Sequence, residues 1–150
     1  MSFFTNTMQR LGRVRVILDR ETKDPYMIRY YLLIKDRKKF PFNITLHKIL
    51  KSDEHVYHSH PFSWYATIIL KGGYFETLPV YDADGNVISD NTVWRGPGYF
   101  TFRKGAAVHY LTLKEDTPCT TLFFMGKQSN SWGFLVDKKT WVHWLDYIKR

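Results

Sequence analysis

Residues 64–113 read WYATIILKGGYFETLPVYDADGNVISDNTVWRGPGYFTFRKGAAVHYLTL. Runs of β-branched and aromatic residues alternate here with turn signals, the pattern of short strands joined by tight connections. Gly72-Gly73 ends a strand over 64–70, and Asp84-Gly85 tips a hairpin between strands over 74–80 and 87–94. Gly96-Pro97-Gly98 is a sharp turn into a strand over 99–103, and Gly105-Ala106-Ala107 turns the chain into another over 108–114. Beyond Asp116-Thr117-Pro118 a strand is expected over 119–125, and one more over 132–136. Strands this short, recurring about every 8–12 residues, predict an all-β sandwich or barrel.

Working outward, residues 42–50 alternate, with Phe42, Ile44 and Leu46 on one face and Asn43, Thr45 and His47 on the other. Residues 56–60 are extended and Pro61 interrupts them. Nearer the amino terminus the pattern weakens. A helix is expected to open at residues 7–10, a strand runs over 13–18, Asp24-Pro25 turns, residues 30–34 are strand formers, and residues 35–39 form a basic loop. At the other end Trp141, Trp144, Leu145 and Ile148 fall at i, i+3, i+4 and i+7, which predicts a helix over about 138–149 docked outside the barrel, with His143 on its exposed side.

A chain of 150 residues makes one domain the natural reading, residues 1–150 with the barrel core at about 42–136. A hydrophobic content of 44% with 17% aromatic residues excludes disorder. The longest apolar run, residues 66–70, is too short for a membrane helix. The start of the chain lacks a basic segment leading into an apolar one, so no signal peptide is expected. Cys119 is the single cysteine and allows no internal disulfide, which favours a reducing, cytoplasmic setting. The net charge of +8 sits entirely in residues 1–51, which hold 12 Lys and Arg against 4 Asp and Glu. Such a segment attracts nucleic acid or another polyanion, or simply makes a solvated surface. No zinc finger, helix-turn-helix or ribonucleoprotein motif accompanies it. A homodimer formed through an edge strand stays open.

Six histidines carry the chemical information: His47, His55, His58, His60, His109 and His143. His58-Ser59-His60 places two imidazoles on one face of an extended segment, because residues i and i+2 point the same way. His109 follows a glycine-containing turn at the start of a distant strand, where a barrel can return it to the first pair. Alone, a His-x-His pair is more often an exposed edge, since histidine is common at surfaces. The second element, running from Gly98 through Arg103-Lys104-Gly105 to His109, makes a metal site the sharper reading.

His58-Ser59-His60, Gly72-Gly73 and the stretch Gly98 to His109 resemble the two motifs of the cupin superfamily, over about residues 42–125. The chain also looks like small single-domain cupin-like proteins of bacteria and their viruses. The resemblance implies a jelly-roll barrel holding one divalent ion on His58, His60 and His109. Two departures stand out. Trp64 and Tyr65 occupy the place of the cupin glutamate, and the turn before His109 has no proline. Three histidines without a carboxylate are similar to the thiol dioxygenases, and this implies an Fe(II) oxygenase acting on a small polar or anionic molecule. Mn(II), Ni(II) and Zn(II) suit the same ligands. The alternative is a cupin without catalysis that binds a sugar or a nucleotide-like ligand.

Such an ion keeps its full charge and leaves positions for substrate. Tyr65, in the glutamate's place, is expected to point toward the metal with its hydroxyl near a bound water or substrate. Tyr65, Tyr74 and Phe102 are expected to line the pocket. Glu76 is a fourth ligand or general base if its strand face is inward, and a solvated residue if outward. His47 and His55 are read as supporting or surface residues, Cys119 as a small buried hydrophobe, and Arg95 and Arg103 as solvated or paired with an anion at the barrel mouth.

Overall fold

A computed structural model describes residues 2–35, 41–129 and 131–150. Residues 36–39 of the expected basic loop lie outside the described residues. Strands are β1 Val14–Leu18, β2 Pro25–Tyr31, β3 Asn43–Ile49, β4 Tyr57–His58, β5 Trp64–Lys71, β6 Tyr74–Tyr81, β7 Val87–Arg95, β8 Phe100–Lys104, β9 Tyr110–Leu113, β10 Cys119–Met125, β11 Gly133–Val136 and β12 Thr140–His143. Two helices, α1 Phe3–Arg10 and α2 Trp144–Tyr147, stand at the ends of the chain. The fold is mostly β, a jelly roll with a short carboxyl-terminal helix. None of its described helices is long and apolar enough to cross a membrane.

One antiparallel sheet runs β1-β2-β3-β10-β5-β8. Opposite it lie two three-stranded sheets, β7-β6-β9 and β12-β11-β4. An antiparallel bridge between His58 and His109 joins these two into one layer. The hairpin β1–β2 carries the larger sheet beyond the expected core at residues 42–136.

Between the layers the inward residues form two apolar clusters. Ile49, Ile69, Tyr74, Leu113 and Cys119 make one. Phe62, Tyr65, Phe123 and Met125 make the other. On β3 it is the polar face that turns inward: Asn43, Thr45 and His47 are buried, and Phe42 is exposed. Thr67 and Thr121 are buried beside them on β5 and β10. These groups are tolerable inside because they find partners. Asn43 bonds the backbone of Ile34 in both directions, and Thr45 Oγ1 lies 2.9 Å from His47 Nε2.

Much of the basic amino-terminal third is spent within the chain. Arg13 donates to the carbonyls of Tyr31 and Leu33, Arg20 reaches the Tyr147 carbonyl and Glu54, Arg29 donates to His47, and Lys51 pairs with Asp19 and Asp24.

The carboxyl end corrects the expected helix over 138–149. Asp137 and Lys138 both take left-handed backbone angles, with φ of 52° and 58°, and fold the chain into a tight hairpin. Residues 140–143 therefore pair with β11 as β12, and the helix is only the single turn α2. Strand alternation replaces the helical stripe. Val142 turns inward, while Trp141, Leu145 and Ile148 stay exposed. Docking falls to Tyr147, whose ring stacks on Phe134 at 3.9 Å and whose hydroxyl donates to Glu54 at 2.6 Å. Tyr147→Ala should cost about 3 kcal/mol in urea denaturation, as a large truncation at a packed site does. Trp141→Ala should stay within about 1 kcal/mol, since 48% of the residue is exposed. Equal losses would place the docking elsewhere.

Candidate metal centre

Backbone pairing brings the three histidines together. His58 N donates to the His109 carbonyl at 2.9 Å, and His109 N returns the bond at 3.1 Å, so the two side chains stand side by side on the inner surface. His60, two residues on, projects to the same side and anchors its own N–H on the carbonyl of Gly105 at 2.8 Å. Gly105 is required by this approach: a Cβ there would strike the carbonyl of Phe62 and crowd that of His60. The proline-free turn before His109 thus serves to let two backbones touch.

The ring centroids are 5.3 Å apart for His58–His60, 5.2 Å for His58–His109 and 5.1 Å for His60–His109. One nitrogen from each ring falls within 4.8 Å of the other two. His60 Nε2 and His109 Nε2 are 2.9 Å apart. Two ligand nitrogens bound at about 2.05 Å to one ion at a right angle would sit about 2.9 Å apart. The His60–His109 pair has the spacing of two ligands on one ion, and His58 completes a group of three imidazoles that could hold a divalent ion.

Behind the three histidines lies a buried charge network. Glu76 is 1% exposed and projects inward from β6. Its carboxylate accepts from His109 Nδ1 at 2.7 Å, from Arg95 Nε at 3.0 Å and from Arg103 Nη2 at 2.9 Å, with a further short ion pair to Arg103 Nη1. Arg103 Nη1 also lies 3.3 Å from His109 Nδ1. The shorter contact decides the proton, because a carboxylate only accepts: Nδ1 carries the hydrogen and Nε2 presents its lone pair to the trio. Burial pushes the Glu76 carboxyl up, but hydrogen bonds from His109 and Arg103 overcome this and bring it down to about 2. Glu76 therefore faces inward yet meets His109 from the rear, outside the ligand cluster, and holds a proton too weakly for a general base at neutral pH.

His58 has Asp53 Oδ2 3.9 Å from its Nδ1. Burial lowers the His58 imidazole, with Asp53 opposing, and burial lowers His60 well below the ordinary value. Neutral imidazole is the form that binds metal. Asp53 is itself pinned by the Tyr26 hydroxyl and by Leu111 N at 2.7 Å.

Tyr65 points inward from β5, its ring 4.3 Å from that of His60 and stacked on Phe123 at 5.5 Å. Its hydroxyl is buried and, among the described residues, is the buried side-chain polar atom without a hydrogen-bond partner. Arg103 is close enough to pull the phenol down, by charge and hydrogen-bonding influence, while its Nη1 and Nη2 meet Glu76 and Nη1 also lies near His109 Nδ1. Burial dominates and pushes the phenol up to about 12, so it stays a protonated donor.

Other expected residues fall elsewhere. Phe102 pairs across β8 with Ala66 on the outer face, 61% exposed and stacked on Trp64, because alternation places it opposite Arg103. Tyr74 is buried in the far apolar cluster. His47 lies behind the site, bonded to Arg29 and Thr45 and stacked on Phe123 at 4.8 Å. His55 is exposed against Tyr110, and His143 caps α2 through Leu145 N. The walls that the sequence reading missed are Phe123, 6.0 Å from His60, and Phe134, 6.3 Å from His58. Inward alternation along β10 marks Phe123, whereas Phe134 needed the pairing of β11 with β4. Two open grooves of about 350 and 410 Å³ lie outside the barrel, and neither touches the trio.

No family model matches the chain, and no curated protein does so. Solved structures do. The polyketide cyclase RemF of Streptomyces resistomycificus aligns over 93% of this chain and 89% of its own, with 16% identity and a TM-score of 0.60. Fe(II)-HppE with an alternative substrate aligns over 76% of this chain at 11% identity and a TM-score of 0.54, and the aligned part spans 56% of that enzyme. A cupin superfamily protein of Desulfitobacterium hafniense aligns over 75% of this chain and 84% of its own, with 14% identity and a TM-score of 0.47. At these identities the likeness concerns the fold. With two facing antiparallel sheets and three histidines converging between them, the chain takes a jelly-roll fold, the fold it shares with RemF and Fe(II)-HppE.

Proposed function

We propose that this protein is a metal-dependent cupin enzyme, a mononuclear non-haem Fe(II) oxygenase acting on a small polar or anionic molecule. One observation carries the reading: three imidazoles converge without a carboxylate, because the adjacent carboxylate, Glu76, is turned to the rear of His109 by Arg95 and Arg103. A divalent ion held this way would supply Lewis acidity and, as Fe(II), oxygen chemistry. Mn(II), Ni(II) and Zn(II) suit the same imidazoles, and the shared fold with Fe(II)-HppE supports iron.

The chain's own residues have distinct roles in this reading. His58, His60 and His109 hold the ion. Glu76 keeps the His109 proton on Nδ1, and the two arginines keep Glu76 in place. The Tyr65 hydroxyl, protonated and beside Arg103, donates a hydrogen bond to the substrate. Phe123 and Phe134 exclude water and restrict the site to a small molecule. A second reading, Lewis-acid catalysis with a redox-inert ion such as Zn(II), draws support from the nearly full-length likeness to a polyketide cyclase.

Tag-free protein should contain about one divalent ion per chain by elemental analysis. His109→Ala should lose nearly all of it and keep the circular dichroism of the native barrel, whose apolar clusters do not involve the ion. Full occupancy in that variant would end the assignment. Glu76→Gln should weaken metal affinity about 10- to 100-fold, the usual cost of losing the acceptor behind a ligating histidine. An unchanged affinity would make Glu76 a purely structural anion. Iron-loaded protein should consume oxygen when given its substrate, and Tyr65→Phe should raise KM. Turnover at full rate with Zn(II) and without oxygen would favour the second reading.

A further inference from the structure

We propose that a basic and apolar patch at one end of the six-stranded sheet docks on an anionic phospholipid surface. Leu11, Leu32 and Leu33 form it with Arg10 and Lys35, and it stands apart from the metal reading. These residues belong to two neighbouring connections. Arg13 Nη1 donates to the carbonyls of Tyr31 and Leu33 at 3.1 and 3.3 Å, and Tyr31 N donates to the Arg13 carbonyl at 2.9 Å. The link from α1 to β1 is thereby fixed beside the exit from β2. Gly12 sits under Lys35, since a Cβ on it would come within 2.8 Å of the lysine Nζ.

Each leucine is exposed for a local reason. Phe4, Met8 and Leu11 fall at i, i+4 and i+7, the stripe that docks α1 on the sheet. Phe4 meets Tyr30 and Met8 is buried, but Leu11 lies past the helix end and is 59% exposed. β2 ends at Tyr31, so strand alternation stops and Leu32 and Leu33 both face water, 40% and 41% exposed. Leu32 N donates to the Ile44 carbonyl at 3.0 Å, so the backbone holds the pair in place. Consecutive leucines kept in water cost solvation free energy that a polar loop would avoid. Exposed apolar side chains gathered in this way mark a surface that meets an apolar partner.

Charge selects that partner. Among the described residues up to Lys51, the acids are Asp19, Glu21 and Asp24, all in the turn between β1 and β2. That turn lies at the other end of the hairpin, about 14 Å away at ordinary strand rise. Cations around it are taken up locally, Lys51 by Asp19 and Asp24 and Arg20 by Glu54. No described acid lies on the connections that carry Arg10 and Lys35. In sequence, three cations follow Asp36, so residues 36–39 add a net +2. Phospholipid headgroups set negative charge beside an apolar layer, the combination that leucines ringed by cations match. Nucleic acid offers phosphates but leaves aliphatic side chains in water, since bases stack on aromatic and guanidinium planes. A second copy would bring the cations against their own kind.

Co-sedimentation of the full chain with phosphatidylcholine vesicles, with and without phosphatidylserine, tests the assignment. The native chain should bind the anionic vesicles, come off in high salt, and stay largely free of pure phosphatidylcholine. Leu32→Ser with Leu33→Ser should weaken binding about tenfold or more with unchanged circular dichroism. Leu11→Ser provides a second variant on the other connection, should the first not fold. Arg10→Gln and Lys35→Gln should each weaken binding about fivefold, and Lys35→Arg should restore it. Ile88→Ser, at an exposed position of β7 in the opposite layer, should bind as the native chain does. A native chain that fails to bind anionic vesicles at low salt overturns the proposal, as does undiminished binding by a folded leucine variant. Retention on duplex DNA but not on vesicles would give the patch to nucleic acid. A leucine variant that changes the sedimenting mass but not vesicle binding would give it to a second copy. Either result also overturns the proposal.

Discussion

Two backbone hydrogen bonds between His58 and His109 are the point on which this structure turns. They join two small sheets into the layer opposite the large one, and with the same geometry they set two imidazoles side by side. Fold and site are therefore not separable here. A shift of one residue in that pairing would send both side chains to the outer surface, because strand residues alternate. Gly105 supports the arrangement by letting the His109 turn touch the backbone of residues 60–62.

Around that pairing the interior is arranged by charge as much as by apolar packing. Glu76 is nearly inaccessible, and a buried carboxylate is tolerated only with partners. It has three, Arg95, Arg103 and His109, reached from three different elements. Removing one partner of such a network generally costs about 3–5 kcal/mol, more than replacing the whole by apolar groups. Its presence therefore says little about stability and more about the arrangement of the candidate site, since it orients His109 and keeps the carboxylate apart from the three-histidine cluster.

The same logic explains the inversion of β3. Asn43, Thr45 and His47 face inward because the space behind the histidines is polar and can satisfy them, while Ile44 and Leu46 face outward and are half-buried.

The amino-acid sequence by itself determined the all-β class, a sandwich or barrel, since Gly, Pro and Asp-Gly punctuate the strands and glycine and proline geometry is local. It also determined the candidate ligands, because His58 and His60 share a face in any extended backbone. The carboxyl-terminal hairpin stayed hidden: Asp137-Lys138 adopts a turn usually built from Asn-Gly, and the helical spacing of Trp141, Trp144, Leu145 and Ile148 arises by coincidence on a strand and one helical turn. Which face of β3 is interior, whether Glu76 points in, and what it holds depend on partners far along the chain. Alternation gives two faces to every strand but does not say which is buried. Only the packing of one sheet on the other chose, placing Glu76 between two arginines and behind His109, because a buried charge goes where its counter-charges are.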